Sequence, residues 1–362
     1  MTHSLLRRLT AAGAALILLA ALGGCQQQPA VDSSTPATTA PATAAPTTTT
    51  NAPAPKLGLD RLTGEADMAT DNDRPIGFVV TDETSTLVQL GLESADFFFE
   101  AETEGGIPRI LAVYSSVDRI PEAIGPVRSA RPHFVKIAKA LDAIYCHIGG
   151  SPSGLDAIRE LGVTELTNTY IIHPVLKASK NFSWNRSAYT KEKVLAKLGR
   201  QKTTLTSSYK SPYQFGTKTG SATANTVNMR ISEAYHMAFT YDGSRGVYQK
   251  HRNSLDSPVH TTATGGTIEV ANVIVLYAPR SVDETYTYDK QNDKQTTRYN
   301  FAMESGSGTV ATGGTARDIR YTCTTGGLQF YESDGTTPLT VATGKTFVCL
   351  VGSHLKSGTQ IS

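Results

Sequence analysis

Cysteine is scarce in this chain. Four are present, at positions 25, 146, 323 and 349, with no CxxC pair and no Cys/His cluster, so nothing in the spacing offers a metal site. An excess of one charge is also missing: Lys and Arg number 34 against 32 Asp and Glu. The formal charge of +2 falls to zero once Arg7 and Arg8 leave with the leader described next. A chain this close to neutral carries no electrostatic case for nucleic acid or for an anionic membrane surface. Phosphate-loop patterns are absent too; GTKTG and ATGGT lack the required spacing, and Ser207 to Lys210 is a lone SxxK. No residue pattern calls for a cofactor.

What is present begins with an export signal. Arg7 and Arg8 precede an apolar run from Leu9 to Leu22, which is short for a membrane span. The sequence Leu22-Gly23-Gly24-Cys25 follows, with small residues where a peptidase must approach the backbone. Cys25 is then the lipidation site, its thiol being the group there able to take a diacylglycerol; an ordinary secretory signal with a chance cysteine is the alternative. Residues 1–24 are the leader. Residues 25–58 are a tether of Thr, Ala and Pro with almost no large apolar side chain, extended by its proline content. Location follows: lipid-anchored on the outer face of the cell membrane, extracytoplasmic.

Roughly 300 residues remain, too many for one typical core, so two domains are expected. The class expected is α+β: an N-terminal mixed α/β domain over 59–200, a polar linker over 201–225, and a mostly antiparallel β domain over 226–362. In the first, RPIGFVVTD and the two halves of FFFEAETEGGIPRILAVYSS read as strands, the latter joined at Gly105-Gly106. Apolar residues at 130, 134, 137, 138 and 141 predict a helix from Ser129 to Leu141. Ser151-Pro152 opens a second helix that Gly162 stops, and Thr190 caps a third that ends at Gly199. In the second domain IEVANVIVLYA reads as a central strand. Hairpins are expected at Asp242-Gly243, within 286–301, and at Asp334-Gly335, the last pairing FYESDG with KTFVCLV. Cys323 and Cys349 lie on strand-like runs of that domain, where they form either a disulfide or two separate buried thiols; Cys146 reads as a buried free thiol. Trp184 reads as a packing residue.

Two places carry candidate chemistry. The first spans Ala95 to Arg131. If Asp96 to Glu104 is a strand, Asp96, Glu100, Glu102 and Glu104 share one face, while Phe97, Phe99 and Ala101 point the other way. An acidic face toward a cleft results, with Arg109 beside the turn and Arg128 and Arg131 at a helix start. Two such arginines suit a carboxylate, a phosphate or a sugar acid; structural ion pairing of hairpin to helix is the alternative. The second place is His147 with the loop Gly149-Gly150-Ser151-Pro152. A strand-to-helix loop with free backbone N–H groups suits an anion. Ser151 with His147 as base is an alternative, but the GxSxG pattern is absent and a helix cap is the simpler role for Ser151.

DRLTGE (Asp60 to Glu65), RPIGFVV, the run Gly91 to Tyr114, the run Ile124 to Tyr145 and the GGSP loop carry a resemblance, as do VANVIVLYA and the FYESDG…TGKTFVCLV segment. Together they resemble the YerB-type lipoproteins, a bacterial family of unknown-function domains built from an N-terminal and a C-terminal module. The resemblance implies an extracytoplasmic lipoprotein of two modules and no established reaction. The family's VRSAR arginines fall on Arg128 and Arg131, and its acidic strand on Asp96, Glu100 and Glu104. Its His-Asn pair falls on Arg186-Ser187 here, which counts against an enzymatic role for that position. Two functions are therefore expected in order: a binding or adaptor module for cell-wall glycan or peptide, or for a cell-wall-synthesis protein; then a cell-wall hydrolase or lyase using the acidic/arginine cleft.

Overall fold

The computed structural model describes residues 58–66, 71–83, 88–176, 186–284 and 297–362. Cys25, the tether, Trp184 and most of the hairpin expected within 286–301 lie outside the described residues. Strands dominate. Three helices, α1 (Pro132–Ala140), α2 (Pro152–Leu161) and α3 (Lys191–Gln201), supply the α part of the α+β class.

Local signals account for the helix ends. Ser151 caps α2, its Oγ accepting the Gly154 N–H at 3.0 Å; Pro152 takes the first turn, and Gly162 closes the helix at φ 59°. Helix α1 starts at Pro132, three residues later than its periodicity suggests, because the residues before it are held in extended pairing. The Arg128 N–H donates to Val79 O (2.7 Å), and the Ala130 N–H to Gly149 O (3.0 Å). Helix α3 follows Thr190, whose side chain makes no capping bond, and it runs past Gly199 to end at Lys202 in the left-handed region.

One sheet of eleven strands organises the chain. From edge to edge it runs Ala222–Thr223, Thr315–Thr324, Ser305–Thr312, Asn272–Ala278, Thr346–Gly352, Phe97–Glu102, Pro108–Tyr114, Ile76–Thr81, Ile144–His147 and Glu165–Thr167. Gly327–Glu332 pairs with Thr315–Thr324 off this path. Strands from both halves of the sequence meet at its centre, where Phe97–Glu102 and Thr346–Gly352 pair in parallel. A second, five-stranded antiparallel sheet is ordered Glu269–Val270, Val247–His251, His236–Asp242, Thr226–Arg230, Gln360–Ile361.

These layers make two cores. On one face Phe98, Phe347 and Cys349 pack against Met229, Phe239 and Tyr248 of the second sheet, with the Phe239 and Phe347 rings 5.2 Å apart. On the other face Phe97, Phe99 and Leu111 lie under Phe134 and Ile137 of α1, with Phe99 and Phe134 edge to face at 5.8 Å. A strand at the centre of such a stack is buried on both sides, so its alternation sorts side chains between two cores rather than between core and water.

Three expectations change here. The 201–225 stretch is not a bare connection. It contributes two short strands, and its buried Tyr213 donates a hydrogen bond to Leu62 O at 2.8 Å. The Asp334-Gly335 turn forms, with Asp334 Oδ1 accepting from the Thr336 and Thr337 N–H groups at 2.8 Å each. Its return, however, only reaches Leu339, which donates back to Phe330 O. The Thr346–Gly352 strand crosses instead to the middle of the sheet, parallel to Asn272–Ala278. That crossing removes the disulfide. Cys323 and Cys349 are both free, buried in opposite cores, on strands with two others between them. Three strand steps span roughly 14 Å, about twice the Cα separation that a disulfide bridges.

Candidate functional site

The acidic strand does not face an open cleft. Asp96, Glu100 and Glu102 are all almost fully buried, and each has a different set of partners. At one end, Asp96 Oδ1 accepts from Arg119 at 2.7 Å and Oδ2 from the Ser115 N–H and Oγ at 2.9 Å each. Burial raises the Asp96 carboxyl above its usual range despite Arg119. At the other end, Glu102 accepts from Arg280 at 2.7 Å, and its carboxyl is likewise raised, by burial.

Glu100, in between, points into the core between the sheets and meets a network that no local motif announced. Lys250, with no exposed surface, places Nζ 2.6 Å from Asp82 Oδ2 and 3.7 Å from Glu100 Oε2. His260 Nδ1 is 3.3 Å from that Nζ. Gln89 donates to Asp82 Oδ1 (3.0 Å) and to Thr81 O (3.1 Å), and its own Oε1 accepts from Arg252 (2.7 Å) and His260 Nε2 (3.0 Å). Burial pushes the Glu100 carboxyl well up, and Asp82 beside it pushes further, against the pull of Lys250. Burial would also raise Asp82, but Lys250 and His260 together hold it low. Lys250 thus lies between two carboxyl groups, of which Glu100's is raised and Asp82's lowered, with Arg252 a further positive charge near Asp82.

Glu104 sits elsewhere, past the strand end, in the turn whose Gly105 and Gly106 have φ 65° and 77°. A Cβ on Gly106 would come within 3.0 Å of Ser232 Oγ, and the positive φ favours glycine in any case. Arg131 grips Glu104 with two nitrogens, Nε at 2.7 Å from Oε2 and a terminal nitrogen on Oε1; Arg109 also reaches Oε1. Arg109 donates its other terminal nitrogen to Ser129 O at 2.9 Å. Burial alone would raise the Glu104 carboxyl, but the two guanidiniums bring it down to about 2. Burial and the neighbouring Arg109 bring Arg128 down to about 9 and Arg131 down to about 10. Arg298 adds a further positive charge to Arg131, and Glu83 a negative one to Arg128.

His133, on the first turn of α1, belongs to the same neighbourhood. It is buried between Phe134 and Phe301, with ring centroids 4.4 and 5.3 Å away. Neither of its ring nitrogens has a hydrogen-bond partner among the described residues. Burial first, then Arg131 and Arg109, hold it down to about 3, so the ring is neutral.

The structure therefore brings Glu104, Arg109, Arg128 and Arg131 together and leaves Asp96 and Glu100 outside the group. It also docks the GGSP loop against the arginine segment. The Ile148 N–H donates to Arg128 O (3.0 Å) and the Ser151 N–H to Ala130 O (3.2 Å), and a Cβ on Gly154 would strike Ala130 O at 2.7 Å. His147 and Ser151 are not paired. His147 Nδ1 bonds Gly149 O at 2.7 Å and Nε2 bonds Glu165 at 2.8 Å, while the Ser151 hydroxyl caps α2 and bonds Ser153 Oγ at 3.0 Å. With both ring nitrogens occupied, His147 is held as a fixed structural link. No group of His, Cys, Asp and Glu suited to a metal is found among the described residues, and no helix there is long and apolar enough to cross a membrane.

Residues 62–206 match the description "Protein of unknown function (DUF3048) N-terminal domain", and residues 227–348 match its C-terminal domain. "Putative lipoprotein YerB" of Bacillus subtilis (strain 168) is 28% identical over 216 residues, which are 58% of this chain and 63% of that relative's length. The match thus spans under two thirds of the relative. A crystal structure of the YerB protein from Bacillus subtilis superimposes with a TM-score of 0.69 at 21% identity, covering 84% of this chain and 99% of the other, and so shares its fold. The chain belongs to the DUF3048 family, carrying its N-terminal and C-terminal domains in order.

Proposed function

We propose that this protein is a lipid-anchored module of the outer cell envelope that binds an anionic group of cell-wall material, or of a cell-wall-synthesis protein, at the Glu104/Arg109/Arg128/Arg131 cluster. The leader, Cys25 and the tether support the location. One observation carries the site. Arg109 and Arg131 both bond Glu104 where the turn, α1 and the GGSP loop converge, and the charges of Arg128, Arg298 and Glu83 act on the same cluster. Guanidiniums crowded this way repel one another, and an incoming carboxylate or phosphate relieves that repulsion while accepting paired hydrogen bonds. The direct test is retention of the anchored protein on isolated cell wall. Arg128→Ala with Arg131→Ala should abolish retention while leaving the circular dichroism spectrum unchanged; undiminished retention by a folded double variant would remove this assignment.

A further inference from the structure

The buried network between the sheets lies apart from the arginine cluster, and the proposed function does not use it. Its geometry is that of reactants. The amine of Lys250 lies 2.6 Å from one carboxylate oxygen of Asp82, and a third side chain, the carboxyl of Glu100, is 3.7 Å from the same amine. All three are at most 2% exposed, and Glu100 Oε2 has no hydrogen-bond partner. One side of the pair is apolar, with the Phe347 ring centre 5.8 Å from Nζ, Phe98 stacked on Phe347 at 5.0 Å and Cys349 opposite Glu100 in register; on the other side Gln89 bonds Asp82 and His260 lies 3.3 Å from Nζ. We propose that Lys250 and Asp82 condense to form an intramolecular isopeptide bond, with Glu100 as the catalytic residue that relays the protons.

The step balances without any outside reagent. One proton passes from the Lys250 ammonium to the Asp82 carboxylate, leaving a neutral amine and a carboxylic acid. The Nζ lone pair then attacks Asp82 Cγ, forming the C–N bond, while the Glu100 carboxyl donates its proton to the carbonyl oxygen. Glu100 takes a proton back from the nitrogen as the tetrahedral centre collapses. The C–O bond breaks, one molecule of water leaves, and Glu100 ends protonated as it began. Nothing is oxidised or reduced.

Burial supplies the driving force. An ion pair stripped of water is costly to keep: Lys250 and Asp82 hold each other in their charged forms, but each charge bears the cost of burial. Condensation replaces two buried charges by one neutral amide and releases water. The bond would join the segment after the Ile76–Thr81 strand of the large sheet to the Val247–His251 strand of the small one, across 168 positions of sequence. Such a link clamps the two layers of an exported protein that has no disulfide among its described residues.

Protease digestion of the full chain purified from membranes tests this, read by tandem mass spectrometry. Expected is a branched peptide joining the Lys250 fragment to the Asp82 fragment, lighter than their sum by one water molecule. Its absence, with both fragments recovered linear, would overturn the proposal whether or not any variant folds. Lys250→Arg and Asp82→Ala should each give only linear fragments. A branch ending on Glu100 instead of Asp82 would overturn the assignment of roles. Glu100→Gln should leave the fragments linear, and Glu100→Asp, which keeps the acid one methylene further back, should show a smaller branched fraction. A complete bond in Glu100→Gln would overturn the part given to Glu100.

Discussion

Arg131 and Glu104 are 27 positions apart in sequence, yet Arg131 Nε lies 2.7 Å from Glu104 Oε2 and its terminal nitrogen holds the other oxygen. This two-point grip fastens the turn after the Phe97–Glu102 strand to the start of α1. Arg109 shares the same carboxylate, so Glu104 is the point where both arginines are clasped.

The fork geometry gives the first prediction. Arg131→Lys keeps the charge and loses the bidentate contact, so it should lower melting temperature and weaken wall retention, whereas a surface Lys→Arg change should do neither. The expected stability loss is about 1.5–3 kcal/mol, the range for hydrogen bonds to a charged partner. Denaturant titration alongside cell-wall pull-down checks both.

Acid should loosen the clasp. The Glu104 carboxyl is held down to about 2 in the folded protein, below its ordinary value of 4.5. Its contribution is therefore fully present above about pH 4.5 and is lost as pH falls toward 2, amounting to about 3 kcal/mol at most. Glu104→Gln should flatten unfolding free energy against pH in that window and leave the slope above pH 5 unchanged.

His133 should act in a higher window. Its folded value is about 3 against an ordinary 6.5, so the unfolded chain binds more protons between those limits. Stability should fall as pH drops below 6.5, by up to about 1.4 kcal/mol per pH unit for this histidine. His133→Phe, which suits the pocket of Phe134 and Phe301, should reduce that slope. His260 is also held down to about 3, by burial, so a residual slope is expected in the variant.

Reductant should have no effect on folding. Cys323 and Cys349 are free thiols in separate cores, so melting curves with and without a thiol reagent should superimpose. A reductant-dependent drop would contradict the strand order. By contrast Phe347→Ala, at the contact of the two sheets beside Phe98 and Phe239, should cost about 3–5 kcal/mol.

How far the sequence could be read depended on the range of the interaction concerned. Ser151, Pro152 and Gly162 mark α2 because a cap, a first-turn proline and a left-handed stop act within a few residues. Gly105-Gly106 marks its turn for the same reason. The helical period runs on before α1 begins because Arg128–Ala130 spends its backbone groups on Val79 and Gly149, neither of which is nearby in sequence. The arginine site was partly legible: Arg109, Arg128 and Arg131 with Glu104 hold together. Asp96 and Glu100 drop out, since alternation along Phe97–Glu102 looks the same whether the second face meets water or a second sheet. Asp82, Lys250 and His260 gave no signal, being isolated charged residues in unrelated segments. His133 was hidden by α1's own helical period.

Sequence alone determined the ends of α2, the Gly105-Gly106 turn and the family, because each rests on contiguous residues. Tertiary structure alone decided which strands are neighbours, that Thr346–Gly352 runs beside Phe97–Glu102 and not beside Gly327–Glu332, and hence which cysteines stay apart and which charges meet. The reason is that both sheets must bury their apolar faces at once. Only that mutual packing carries Lys250 to Asp82 and excludes the water that would otherwise keep them apart.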